Sequence, residues 1–186
     1  GIGRRQRQMC IRDRFEFNLI RYFGITSSIN KEDFESQDQL NLVNRLYKDI
    51  LENYKKKNLE NVNKVFPIIK NVYENPKNKY ERIVVPFTDG KKTMNIVTNL
   101  KNAYDSEGKE LIDDFEKNIT LAIIDETWKT HLRKMDELRQ SVQLAVHEQK
   151  DPLLIYKFEA KELFFSMIDD LNKDILTFLM LSLIHI

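Results

Sequence analysis

Apolar side chains recur at intervals of three and four along most of the chain, and that spacing predicts helices. Ser27, Ser28 and Asn30 ahead of Lys31-Glu32-Asp33-Phe34 signal a helix start. The row Leu40, Val43, Leu46, Tyr47, Ile50, Leu51 and Tyr54 then reads as one buried helical face. A further helix is expected over residues 62–73, interrupted at Pro67, and Asn75-Pro76-Lys77-Asn78 is turn material. Only one stretch changes period. Ile83-Val84-Val85-Pro86-Phe87 and Met94-Asn95-Ile96-Val97 flank Thr88-Asp89-Gly90-Lys91, which reads as a β-hairpin with Asp-Gly at its turn. Pro86 has no N–H to give a ladder, so its strand belongs at an edge or a bulge. Residues 15–24 read as a helix or an extended entry segment ending at Gly24, and residues 100–104 as a short helical turn.

From about Lys109 the helical period resumes and holds to the end. Leu121, Ile124, Trp128, Met135, Leu138, Val142 and Ala145 form a heptad-like seam, with Leu132 beside its one gap at His131. Leu153, Tyr156, Ala160, Leu163, Phe164, Met167, Leu171, Ile175 and Phe178 make a wider stripe on a second helix. Between them stands a polar corner, His147-Glu148-Gln149-Lys150. Asp151 is suited to cap the second helix, and Pro152 to its first position, where a missing N–H costs no hydrogen bond. Each large side chain fully buried along the seams is worth about 1.5–3 kcal/mol, enough to hold two helices together against chain entropy. Arms of ~25–30 residues would carry the corner ~40 Å from the root at 1.5 Å per residue. The width of the stripes calls for a third packing element. The expected fold is mainly α with a small β-hairpin (α+β): a small mixed domain over residues 15–107, then a long antiparallel helical hairpin over residues 108–180.

Composition narrows the function classes. With 41% hydrophobic and 32% charged residues the chain suits a helix-rich fold with much solvated surface, and its net charge of +1 offers no whole-chain attraction for nucleic acid. No apolar run reaches the ~18 residues of a transmembrane helix. The single cysteine, Cys10, excludes an internal disulfide framework and fits a reducing compartment. The first fourteen residues hold five of the ten arginines and no lysine, whereas the remainder has twenty lysines to five arginines. Residues 1–14 therefore read as a non-native flank rather than a basic arm, and the apolar stub at 181–186 as a non-native tail.

Candidate chemistry is sparse. His131 has Asp125, Glu126 and Asp136 nearby in sequence but no second histidine at HxxxH spacing and no cysteine to complete a metal set. No nucleophile–base arrangement or tuned carboxylate pair is visible. Lys55-Lys56-Lys57 reads as a solvated helix face, and Glu126, Glu137, Asp169 and Asp170 as surface charges. No catalytic, cofactor or metal residue is expected in this segment.

One set of residues is more specific. Trp128, His131-Leu132, Met135-Asp136, Leu138-Arg139-Gln140 and Gln149-Lys150-Asp151-Pro152-Leu153 stand together in an order that resembles the C-terminal helical region of the SecA preprotein translocase ATPases. The resemblance covers residues 112–179, with Tyr156, Lys157 and Phe164 matching the second helix. FPIIKNVYEN, VPFTDG, NIVTNLKNAY and SEGKEL upstream resemble the helical wing domain of a SecA subgroup. It implies a wing followed by the two-helix finger of the helical scaffold. The implied contact residues at the finger tip are His147, Glu148, Gln149, Lys150, Asp151 and Pro152. Trp128, Leu132, Met135, Leu138, Arg139 and Tyr156 would form the regulatory and structural part of the finger. Implied partners are a SecY-type channel, unfolded preproteins and the motor domains, with anionic lipid peripherally and no nucleic acid. ATP and magnesium are implied for the motor domains only. The implied location is the cytoplasmic side of the bacterial inner membrane, held peripherally. Two departures from the family pattern fall at the tip: His147 stands where a tyrosine is usual, and Val146 where a glycine is usual. From the residues alone, a non-enzymatic helical-hairpin interaction module remains the rival reading.

Overall fold

The computed structural model describes residues 2–75, 79–144 and 151–184, with side chains for 11–75, 79–142 and 151–184. It is mainly helical, with a small antiparallel sheet. In chain order the elements are α1 (Ile2–Phe23), α2 (Lys31–Ser36), α3 (Gln39–Glu74), β1 (Arg82–Thr88), β2 (Thr93–Asn99), α4 (Leu100–Asp105), α5 (Lys109–Leu144), α6 (Pro152–Leu181) and β3 (Leu183–Ile184). The chain divides into two compact units. Unit 1 holds residues 1–116 and 177–186, and unit 2 holds residues 117–176.

Local chemistry accounts for the boundaries in unit 1. The Asn30 side chain caps α2 by accepting from the Asp33 N–H at 2.7 Å. Contrary to the expected interruption, α3 runs unbroken through Pro67. A proline inside a helix costs about 3 kcal/mol. Val65 and Ile69 on either side of it are both buried, and two such side chains return roughly that amount or more. The first half of α3 departs from the expected buried row: Leu46, Ile50 and Tyr54 are half-buried, while Leu40, Val43, Tyr47 and Leu51 are exposed.

The expected hairpin is present, with strands one or two residues longer at each end. Asp89 Oδ1 accepts from the N–H groups of Lys91 and Lys92, and Gly90 takes the left-handed conformation that the turn requires (φ +86°). The strand order is β2-β1-β3, so β1 is central. Pro86 is nonetheless tolerated. Bonds from Leu100 N–H to Glu81 O and from Asp89 N–H to Lys92 O fix the register so that even-numbered β1 residues point away from β2. On that other side, among the described residues, β3 pairs with Phe87 and Thr88 and not with Pro86.

The buried residues of unit 1 include Val85, Phe87, Ile96 and Thr98 on one face of the hairpin, Val65 and Ile69 of α3, Leu100 and Ala103 of α4, and Leu111, Ile112 and Phe115 of α5. Phe87 stacks on Phe115 at 4.1 Å between ring centroids, and Phe115 meets Phe178 near the end of α6 at 6.4 Å. The turn into α5 is tight. Gly108 (φ +89°) donates to Ala103 O at 2.7 Å, and a Cβ there would sit 3.1 Å from Val62 Cγ1, so the site requires glycine twice over.

Candidate functional site

Unit 2 consists of the distal part of α5 and most of α6, and the chain reverses between Leu144 and Pro152. The two helices meet side by side. The His131 ring lies edge-on to Phe164 at 6.0 Å. His131 is thirteen residues before the end of α5 and Phe164 twelve after the start of α6, which is the register of an antiparallel hairpin.

The hairpin's second helix begins as its sequence dictates. Asp151 Oδ1 accepts from the Leu153 N–H at 2.9 Å, the Asp151 carbonyl accepts from Ile155 N–H at 3.2 Å, and Pro152 opens the helix. Asp151 is exposed and Pro152 half-buried. The other four expected tip residues, His147, Glu148, Gln149 and Lys150, lie outside the described residues.

The inward face of α5 differs from the expected seam. Its buried and half-buried line runs Ile119, Ile123, Thr127, His131, Met135, Leu138 and Val142. Met135, Leu138 and Val142 fall on it as expected. Leu121, Ile124 and Trp128 do not, and Ala145 lies outside the described residues; Trp128, expected in the core, is 46% exposed. Both lines have helical spacing, and the sequence reading followed the larger apolar side chains. The structure places a threonine and a histidine inside and leaves a second, exposed apolar row outside. Of the remaining finger residues, Arg139 is exposed and Tyr156 half-buried. On α6 the expected stripe is largely the inner face: Met167 and Phe178 are buried and Tyr156, Ala160, Leu163, Leu171 and Ile175 half-buried, while Leu153 and Phe164 are exposed.

His131, at the gap in the expected seam, lies on the inner line. It is only 7% exposed, its ring is 5.5 Å from Trp128 and 6.0 Å from Phe164, and its Nδ1 has no hydrogen-bond partner. Trp128 and Phe164 thus flank one buried imidazole and present their outer faces to solvent, with Phe165 continuing the aromatic strip at 6.2 Å from Phe164. The charged faces are solvated, and Lys129 pairs with Asp125 one turn away at 2.5 Å. Among the described residues no group of His, Cys, Asp or Glu is placed to hold a metal ion. Among them, too, no helix is long and apolar enough to cross a membrane. The arrangement offers a helical pair with an exposed apolar row on α5 and a capped start to α6, a geometry suited to contact.

Comparisons with known proteins agree with that architecture. The family described as the SecA Wing and Scaffold domain matches residues 16–182. The protein translocase subunits SecA of Flavobacterium psychrophilum and of Christiangramia forsetii are each 59% identical to this chain over 165 residues, 89% of its length. That of Parabacteroides distasonis is 45% identical over 166 residues. The match spans only 15% of the length of each of these relatives. No solved structure matches. With the family match running through both units and relatives 59% identical across nearly the whole chain, this protein belongs to the SecA family, in its wing and scaffold region.

Proposed function

We propose that the chain supplies the wing and the two-helix finger of an ATP-driven motor that pushes preproteins through a SecY-type channel. In this reading residues 15–107 are the wing and residues 108–180 the finger. The tip, His147, Glu148, Gln149, Lys150, Asp151 and Pro152, touches the channel mouth and the moving polypeptide. The shaft, with Trp128, Leu132, Met135, Leu138, Arg139 and Tyr156, transmits motion from motor domains that bind ATP and magnesium. The motor works at the cytoplasmic face of the bacterial inner membrane, held there by the channel and by anionic lipid.

The observation that carries this reading is the paired helical hairpin with an Asp-Pro helix start at its turn, in a chain matched to the SecA wing and scaffold over residues 16–182. Paired helices resist bending, and a polar segment on a rigid scaffold is a common place for contact residues. The exposed row Leu121, Ile124, Trp128 and Leu132 gives the motor domains an apolar face to grip. The test uses a full-length SecA of this type lacking Glu148, Gln149 and Lys150. Preprotein transport into membrane vesicles is expected to be abolished while basal ATP hydrolysis persists. Normal transport by that variant refutes the assignment.

The same exposed row supports a second reading, a non-enzymatic helical-hairpin module that docks a partner helix. The reading frame upstream discriminates the two: a phosphate-binding loop and motor sequence belong to the translocase, and their absence to the module.

A further inference from the structure

We propose that Lys57 is a latch on the end of α6: its ammonium, carried on α3, donates to the Leu179 carbonyl and, together with the bond from Tyr54 to Glu116, lets one turn of α3 hold both helices of the hairpin within unit 1.

The geometry rests on four residues from three helices. Tyr54 Oη donates to Glu116 Oε1 of α5 at 2.8 Å, and Lys57 Nζ donates to Leu179 O in the last turn of α6. Tyr54 and Lys57 are three apart on α3 and so share one helical face. Their side chains also touch, with Nζ 5.2 Å from the centre of the Tyr54 ring. Glu116 is the last residue of unit 1 on α5, and Leu179 lies just inside unit 1 on α6. Both fasteners therefore grip their helices where each one enters the unit, beside the Phe115–Phe178 pair.

A lysine is needed there for a reason internal to α6. The Ser182 N–H donates to Phe178 O at 3.0 Å, and the chain then leaves the helix for β3. The Leu179 carbonyl has no donor four residues on within the helix, and it stands at the negative end of the helix dipole. A cation that reaches it satisfies the orphan acceptor and the dipole together. The ammonium is held against a burial penalty. Lys55 and Lys56 beside it are exposed, but burial lowers Lys57 from the usual lysine range to about 8. A contact kept at such a cost is a weakly held one: a neutral amine can still donate there, whereas removing the amine relieves the penalty and frees the carbonyl.

Amide hydrogen exchange on the 186-residue chain at neutral pH tests the latch. In Lys57→Met the amides of Met180, Leu181 and Ser182 are expected to exchange at least about fivefold faster, while those of Val65 and Ile69 in α3 and Val85 in β1 stay within about twofold of wild type. Lys57→Arg, which keeps a charged donor, is expected to restore most of the protection. Tyr54→Phe is expected to accelerate the amides of residues 117–120 and leave 180–182 alone. Unchanged or slower exchange at 180–182 in Lys57→Met overturns the proposal. So does a uniform acceleration across unit 1, which would make Lys57 a general support instead of a local latch.

Discussion

At single positions, two residues carry more structural information than their neighbours. Gly108 is held at φ +89° with Val62 Cγ1 close to where a Cβ would be. Left-handed backbone costs an L-residue about 1–2 kcal/mol, and the tight contact adds to it. Gly108→Ala is therefore expected to lower the stability of unit 1 by about 1–3 kcal/mol, read as a fall in urea midpoint; a change below about 0.5 kcal/mol would contradict the argument. His131 works in the other direction. Its buried Nδ1 has no partner, and an orphaned polar atom costs about 1–3 kcal/mol. The contacts of its ring with Trp128 and Phe164 return about 0.5–1.5 kcal/mol. His131→Leu, which removes the polar atom and keeps an apolar filling, is expected to raise unit 2 stability by roughly 1 kcal/mol. A loss of that size in chemical denaturation would show that the imidazole is satisfied in a way the contacts do not reveal.

Among the elements, helix and strand identity was legible because it follows from period and from caps, whereas burial was legible only in part. Asp151-Pro152 starts α6 and Asn30 caps α2 through bonds that involve neighbouring residues alone, so no tertiary knowledge was needed. Pro67 was misread as a break because the compensation comes from the packing of Val65 and Ile69, which no local rule registers. On α5, two apolar lines have equal claim by spacing. The choice between Trp128 and Thr127 as the inward residue depends on where α6 lies, so the expectation that favoured size fails at that turn. The same limit hid Lys57, which looks like its two solvated neighbours until the end of α6 is placed against it. The tip residues 147–150 rest on the family resemblance and lie outside the described residues. The exposed row on α5 yields an element-level prediction. Trp128 is the only tryptophan, so its fluorescence reports that row directly. Acrylamide is expected to quench it readily in this chain and several-fold less in a full-length SecA of this type that retains this tryptophan alone. Equal quenching in both would leave the row without a partner in the motor.

For the whole molecule, the two ionisable groups on one turn of α3 give stability an unusual dependence on pH. Burial lowers Lys57 from 10.5 to about 8. Between those values the unfolded chain holds a proton that the folded chain has released, so stability rises with pH across that window. Tyr54 is shifted upward, first by burial and then by its bond to Glu116 and that carboxylate's charge. Above pH 10 the unfolded tyrosine ionises while the folded one stays neutral, and stability falls. No titratable side chain on the last turn of α6 intervenes, since Phe178, Leu179, Met180 and Leu181 are all apolar. On α3 the next charge along the helix, Glu60, is exposed. The expected profile for unit 1 therefore climbs from pH 8 and turns over near pH 10. Background titrations are shared by wild type and Lys57→Met, so comparing the two isolates the lysine. Whatever the sign of the stability difference at pH 7.5, wild type is expected to gain on Lys57→Met between pH 7.5 and 9.5 in urea midpoint. Parallel profiles would mean that the Lys57 amine is solvated, and the latch would lose its physical basis along with the pH effect.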